Sequence, residues 1–348
     1  MKKIFLALIL SLSCTFVLAD SVPPISQDQV IKPPALQPGD TIAFVTPARM
    51  RDWDAVVAAK EELERRGYIV RTDLNIRHEV KYLGGTDEER AHSINAAFAD
   101  PTIDAVFPVT GGYGTTRILD DIDWGVIRAN PKVVIGYSDV TALHLAMLKK
   151  SGVVSFHAPY PTYMYAPRSE GETRDYSFAE KYFWGTITGD PSTRVIETDD
   201  LTTPPVVIEP GVGRGPLTGG NLTLVATLMG TPYEMETDGR ILFFEDIGEA
   251  PYRIDRMLST LELAGKLDNL AGVVLGRFRG CEPDDPEREF TLDEIFTQYF
   301  ANRGYPVVYQ FPLGHVRENA TFPLGIEAEL NTRHGTLTLL ETAVAPRK

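Results

Sequence analysis

Cysteine is scarce in this chain, with two among 348 residues, and Cys14 lies in an N-terminal stretch that reads as a removable leader. Cys281 is then alone, so no intramolecular disulfide can hold the fold, whatever the compartment. Metal-binding patterns are missing as well. There is no HExxH, no paired-cysteine motif and no acidic EF-hand loop, so neither a metal nor another cofactor is expected. Basic clusters are absent. Lys and Arg total 34 against 48 Asp and Glu, a formal net charge of −14. So acidic a surface argues against nucleic acid and anionic membranes as partners. No internal repeat or low-complexity tract interrupts the sequence.

The N-terminus is distinctive. Lys2 and Lys3 precede an apolar run from Ile4 to Leu18, and Val17-Leu18-Ala19 before Asp20 forms a small-residue cleavage site. This is the pattern of a secretory signal peptide over residues 1–19. The run is short for a bilayer crossing, which needs about 20 apolar residues. Ser11 stands where a lipid-attachment motif has Leu, and the apolar run continues past Cys14. Cleavage after Ala19 and a soluble, exported, periplasmic product are therefore expected. The leader carries two lysines and no acid, so the mature chain is two units more negative.

Residues 20–35 are polar and Pro-rich, which suits an extended leader segment. From residue 36 to 165 short apolar runs alternate with helical periodicity. Strands are expected at Thr41–Val45, Tyr68–Val70, Ala105–Val109 and Val133–Ile135, and helices at Asp52–Arg66, Asp87–Phe98 and Val140–Lys150. That alternation implies a doubly wound parallel sheet. Residues 166–212 are less regular and read as a connector with one helix, Phe178–Trp184. Residues 213–348 read as a second, β-rich α+β domain, with a turn at Gly219-Gly220, strands at Ile241–Phe244 and Val273–Leu275, and a C-terminal hairpin around Thr332–Gly335. The expected fold class is thus α/β, an N-terminal parallel-sheet domain followed by a β-rich C-terminal one.

Four local features can carry chemistry. Gly136-Tyr137-Ser138-Asp139 joins a β-branched strand to a helix expected to be amphipathic. A serine there can point into the crevice at the strand ends, and the N–H after it can receive an oxyanion. Ser and Asp are equally the preferred helix N-caps, and the local pattern does not choose. Gly111-Gly112-Tyr113-Gly114 follows another buried strand, where its N–H groups can donate to an anion or simply make a tight turn. Glu245, Asp246 and Glu249 close a strongly apolar strand. One such carboxylate can orient a histidine, while the others cap or solvate the helix beginning near Pro251. The histidines are the fourth feature. His78 and His92 are expected to be exposed, His144 in the core, His157 on the crevice and His334 in a hairpin turn. His315 sits on a loop shaped by Pro312 and Gly314, where a general base can be positioned.

Six segments between residues 110 and 325 occur in a telling order: TGGYG, IGYSDVTALH, GGNLTLVATLMGTPY, ILFFEDIGEAPYRIDRML, AGVVLGRF and FPLGHVRENATFPLG. Together they resemble the serine LD-carboxypeptidases (muramoyltetrapeptide carboxypeptidases), a family that also contains the microcin C immunity peptidases. The resemblance implies a triad of Ser138, Glu245 and His315, with the backbone N–H groups of Gly112 and Asp139 as oxyanion donors. It implies a site at the interface of the two domains and, in many members, a homodimer. It further implies hydrolysis of the L,D-amide bond that releases terminal D-Ala from a murein tetrapeptide. Two other readings stand beside this one: an immunity-type peptidase that hydrolyses aminoacyl-nucleotide toxins, and a non-catalytic muropeptide-binding protein. Export favours the murein reading, because the toxins act in the cytosol. The chain departs from the family pattern at Thr110, where Arg is usual, and at Ala158, where Gly is common.

Overall fold

The computed structural model describes residues 30–74, 78–167, 175–199 and 201–347, so the expected signal peptide lies outside the described residues. The first half of the chain builds β1 (Thr41–Val45), α1 (Trp53–Arg65), β2 (Ile69–Arg71), α2 (Asp87–Ala99), β3 (Ala105–Pro108), α3 (Trp124–Ala129), β4 (Val133–Gly136), α4 (Thr141–Ser151), β5 (Phe156–His157), α5 (Pro161–Met164) and α6 (Ser177–Thr188). Local signals set the boundaries. Asp52 caps α1 by accepting from the Asp54 N–H at 2.8 Å. Thr86 and Glu89 form a reciprocal capping box on α2. Gly152, in the left-handed region, ends α4.

β1 to β5 run parallel in the order β2-β1-β3-β4-β5. The chain leaves β1 in one direction and returns to β3 on its other side, which opens a crevice at the carboxyl ends of these strands. The loops after β1, β3 and β4 all empty there.

The second half builds β6 (Val195–Ile196), β7 (Val206–Glu209), β8 (Val212–Asn221), α7 (Leu222–Thr227), β9 (Ile241–Ile247), α8 (Pro251–Leu263), β10 (Gly272–Arg279), α9 (Leu292–Phe300), β11 (Val307–Tyr309), β12 (Phe322–Pro323), β13 (Glu327–Asn331) and β14 (Thr336–Leu339). Its eight-stranded sheet has the order β6-β14-β13-β8-β9-β10-β11-β7. β8 to β11 are parallel, and antiparallel strands flank them on both sides.

Both halves exchange chain. β12 crosses back to pair with β5 at the edge of the first sheet. Residues 166–212, expected as a connector, supply α6 and the two edge strands β6 and β7. Within the segment expected to be extended, residues 20–35, the Ile31 N–H donates to the Gly152 carbonyl at 2.8 Å, and the Ala35 N–H donates to the Ala345 carbonyl at 2.9 Å, tying the two ends of the described chain together.

Two local expectations need correction. Gly219 and Gly220 do not make a turn but lie inside β8. Their role is close approach: a Cβ at Gly219 would lie 2.0 Å from the Phe243 carbonyl oxygen, and one at Gly220 2.5 Å from Thr141 Cγ2. The helix after Ser138 is not amphipathic either. Thr141 to Met147 are buried throughout, because α4 packs against β5, β8 and α7. Its Thr141 Oγ1 accepts from the Asn221 N–H at 3.0 Å, a direct bond between the two halves.

Candidate active site

Ser138 follows β4 and holds φ = 59°, in the left-handed region. A side chain with a Cβ costs roughly 1–2 kcal/mol there, so the surroundings must impose it. The Tyr160 hydroxyl accepts from the Tyr137 N–H at 3.2 Å and donates to the Tyr137 carbonyl. On the Gly136 carbonyl converge His144 Nε2 and the Ala158 N–H, both at 2.9 Å. The elbow is thereby clamped on both sides of its peptide. It faces Gly111, where a Cβ would lie 2.9 Å from Ser138 Cβ and 3.1 Å from its Oγ.

Asp139 is not a helix cap. Its buried carboxylate accepts from the Thr115 N–H at 2.8 Å, which fastens the end of the glycine loop to the elbow. Burial pushes the Asp139 carboxyl up, and the hydrogen bonds from Thr115 oppose that shift. Arg90, with no exposed side-chain surface, donates to the Pro47 and Gly114 carbonyls and to Asp87. It thus joins the loop after β1 to the loop after β3. Gly112 has φ = 115°, open only to glycine without strain.

The carboxylates at the end of β9 separate cleanly. Glu249 is paired with Arg253 at 3.5 Å on α8. Asp246 is buried and accepts from Asn221 Nδ2 and from the N–H and hydroxyl of Thr223, each at 2.9 Å, so it serves the first turn of α7 rather than α8. Burial, with the neighbouring Glu245, pushes the Asp246 carboxyl up to about 6. Glu245 has no exposed surface, and its Oε2 accepts from His315 Nδ1 at 2.6 Å. His315 is carried by the loop after β11. Gly314 lets that loop approach, since a Cβ there would lie 2.8 Å from Glu245 Cβ, and its N–H donates to Asn319 Oδ1 at 3.0 Å.

Electrostatics couple the pair. Burial lowers the His315 pKa, but the Glu245 charge and hydrogen bond outweigh it, and the imidazole stands above its ordinary value. For Glu245 burial raises and His315 lowers, with the net shift downward. Both directions describe a carboxylate that stays charged and favours a protonated imidazole. With Nδ1 occupied, Nε2 is the nitrogen left to exchange a proton.

Ser138, Gly111, Gly112, Tyr137 and His315 line one cleft of about 1610 Å³. The Tyr137 ring bridges the elbow and the imidazole, 4.8 Å from His315 between ring centroids, edge-on. A strained serine, glycine N–H groups and a carboxylate-anchored imidazole on one cleft form the equipment for nucleophilic acyl chemistry. His78 and His92 are exposed, His144 is buried, and His334 sits in the β13–β14 turn. His157, expected on the crevice, is instead buried against Phe243 and Tyr137, because β5 is covered by β12. Thr110 and Ala158 are buried and do not line the cleft, and Thr110 bonds the Tyr163 hydroxyl at 3.2 Å. Tyr160, Arg90 and Asn319 were missed by sequence reasoning. A tyrosine just past an apolar strand and an asparagine near a loop histidine are weak signals alone.

The family description "LD-carboxypeptidase N-terminal domain" matches residues 42–158, and "LD-carboxypeptidase C-terminal domain" matches residues 214–330. The chain belongs to the LD-carboxypeptidase family. This carboxypeptidase is 34% identical over 308 residues to a probable murein peptide carboxypeptidase of Bacillus subtilis (strain 168), covering 88% of this chain and 94% of that one. It is 26% identical over 332 residues to the microcin C7 self-immunity protein MccF of Escherichia coli, covering 89% and 96%. Among solved structures, the muramoyltetrapeptide carboxypeptidase from Oxalobacter formigenes superposes with a TM-score of 0.70 at 30% identity, over 85% of this chain and 97% of that one. The LD-carboxypeptidase is therefore a serine-type hydrolase with the expected two-part α/β fold.

Proposed function

We propose that this LD-carboxypeptidase removes the terminal D-Ala of murein tetrapeptides, with Ser138 as nucleophile, His315 as general base and Glu245 as the anchor of the imidazole. The observation that carries the reading is the 2.6 Å bond between His315 and fully buried Glu245, on the cleft that Ser138 lines. Ser138 Oγ attacks the carbonyl carbon of the last amide while His315 Nε2 takes its proton. The oxyanion accepts from the N–H groups of Gly112 and Asp139. Collapse breaks the C–N bond, and His315 returns the proton to the leaving amine of D-Ala. Water, activated by the same imidazole, then hydrolyses the acyl ester and restores Ser138.

The names of the Bacillus and Oxalobacter proteins support the substrate class. The leader, with Lys2, Lys3 and the apolar run before Ala19, supports export to the periplasm, where murein lies. A homodimer is the assembly this reading expects, and light scattering measures it. The test is product analysis by mass spectrometry of purified muropeptides. Wild-type enzyme should convert tetrapeptide to tripeptide plus D-Ala, and Ser138→Ala should not. Equal turnover by Ser138→Ala would remove the nucleophile, and turnover of an aminoacyl-sulfamoyl or aminoacyl-phosphoramidate nucleotide in preference to tetrapeptide would replace the substrate.

A further inference from the structure

Resting on the carboxypeptidase reading above, we infer that Arg49, in the loop after β1, binds the terminal carboxylate of the substrate and so makes the enzyme an exopeptidase. When the last amide of a peptide is attacked, the chain's free carboxylate lies only three bonds from the reacting carbonyl carbon. A group that recognises it must stand next to the oxyanion donors. Arg49 does. A Cβ at Gly112 would lie 2.6 Å from Arg49 Cδ, 2.8 Å from Cγ and 3.2 Å from Nε, so the arginine stem is packed on the glycine whose N–H faces the oxyanion. The stem rests on that glycine, and Arg49 lines the cleft and is exposed. Among the described residues no carboxylate pairs with it.

The other cationic groups on the cleft are differently placed. Arg277 is committed to Gln310 Oε1 at 2.7 Å and the Thr203 carbonyl at 2.6 Å. Arg279 reaches the His315 carbonyl at 3.4 Å, and Lys181 pairs with Glu197 at 3.8 Å. Arg317 is exposed two residues beyond His315. None of these is among the nearest neighbours a Cβ at Gly111, Gly112 or Gly114 would meet. A guanidinium fork suits a carboxylate, donating to both oxygens in one plane. In a chain of net charge −14, such a local cation also offsets the repulsion an anionic peptide end would meet.

The experiment compares a murein tetrapeptide with the same peptide ending in a carboxamide. Binding is read by calorimetry on Ser138→Ala protein, with and without Arg49→Ala, so that no turnover is needed. The acid should bind at least about tenfold more tightly than the amide. Arg49→Ala should abolish that preference, leave amide binding unchanged and leave the circular dichroism spectrum as it was, and Arg49→Lys should keep part of the preference. In kinetics, Arg49→Ala on otherwise wild-type enzyme should raise KM for the acid by a similar factor with little change in kcat. An acid preference that survives Arg49→Ala, or the absence of any acid preference in the Ser138→Ala protein, overturns the assignment. Failure of wild-type enzyme to cleave the tetrapeptide would instead remove the murein reading, and the binding arm judges Arg49 separately from it.

Discussion

His315 Nδ1 lies 2.6 Å from Glu245 Oε2, and the carboxylate has no surface exposed to water. A buried charge with one charge-assisted hydrogen bond fixes the ring and selects the tautomer with its proton on Nδ1. Glutamine in that place keeps the shape but offers an amide that can donate to Nδ1, turning Nε2 into the protonated nitrogen. Glu245→Gln should therefore lower kcat about 10³–10⁴-fold with KM little changed, by analogy with the serine-hydrolase triad. Steady-state kinetics on the tetrapeptide measures it. A loss smaller than tenfold would mean that Glu245 does not set the tautomer.

The same pair fixes a pH dependence. In the proposed mechanism His315 must be neutral to take the Ser138 proton, and its pKa is raised because the Glu245 charge and hydrogen bond outweigh burial. Activity is then lost as pH falls through a value above the ordinary 6.5 of histidine and gained as pH rises past it. The acid limb of kcat/KM should have its midpoint above 6.5 in the wild type. In Glu245→Gln the charge of that carboxylate vanishes while burial, the lowering charge of Arg279 and the raising charge of Asp246 stay, so the midpoint should move down. A midpoint that does not move between the two proteins would assign the limb to another group.

Much of this site is written in short stretches of sequence, and the reason is local. β1, β3 and β4 are continuous apolar runs because both faces of a parallel sheet are covered, and each run ends at a turn rich in Gly, Pro or Ser. The GGYG and GYSD turns are legible for that reason. Which acid of β9 meets His315 is not. Successive side chains of a strand point to opposite faces, so choosing Glu245 over Asp246 requires the register with β8, where Asn221 stands opposite Glu245. The burial of His157 depends on β12, which arrives from residues 322–323. Gly219-Gly220 has the composition of a turn, and only the closeness of β9 and α4 explains it as strand. Long-range packing of this kind leaves no periodic trace.

Gly112 should be intolerant of substitution. Its φ of 115° disfavours any Cβ, and a Cβ would enter the space of Arg49 Cδ at 2.6 Å. Rotation of the peptide to relieve both would take its N–H away from the position proposed for the oxyanion. Gly112→Ala should lower kcat roughly 10²–10³-fold, the usual cost of one lost oxyanion donor, while the protein stays folded by circular dichroism. Near-normal kcat would show that this N–H does not contact the reacting oxygen.

His157 carries the last prediction, which concerns stability. It is fully buried, and neither ring nitrogen has a hydrogen-bond partner among the described residues. Burial pulls its pKa down to about 4, against the opposing charge of Glu245. In the unfolded chain the imidazole titrates near its ordinary 6.5. Between those two values the unfolded state binds the proton and the folded state does not, so stability must fall as pH falls through this window. His157→Phe keeps an aromatic ring against Phe243 and removes the titration. Urea unfolding at pH 7 and pH 5 gives the contrast, in which the similarly buried His144 cancels. The wild type should lose stability relative to the variant by up to about 1.4 kcal/mol per pH unit. An equal difference at both pH values would show that His157 ionises alike in the folded and unfolded chain.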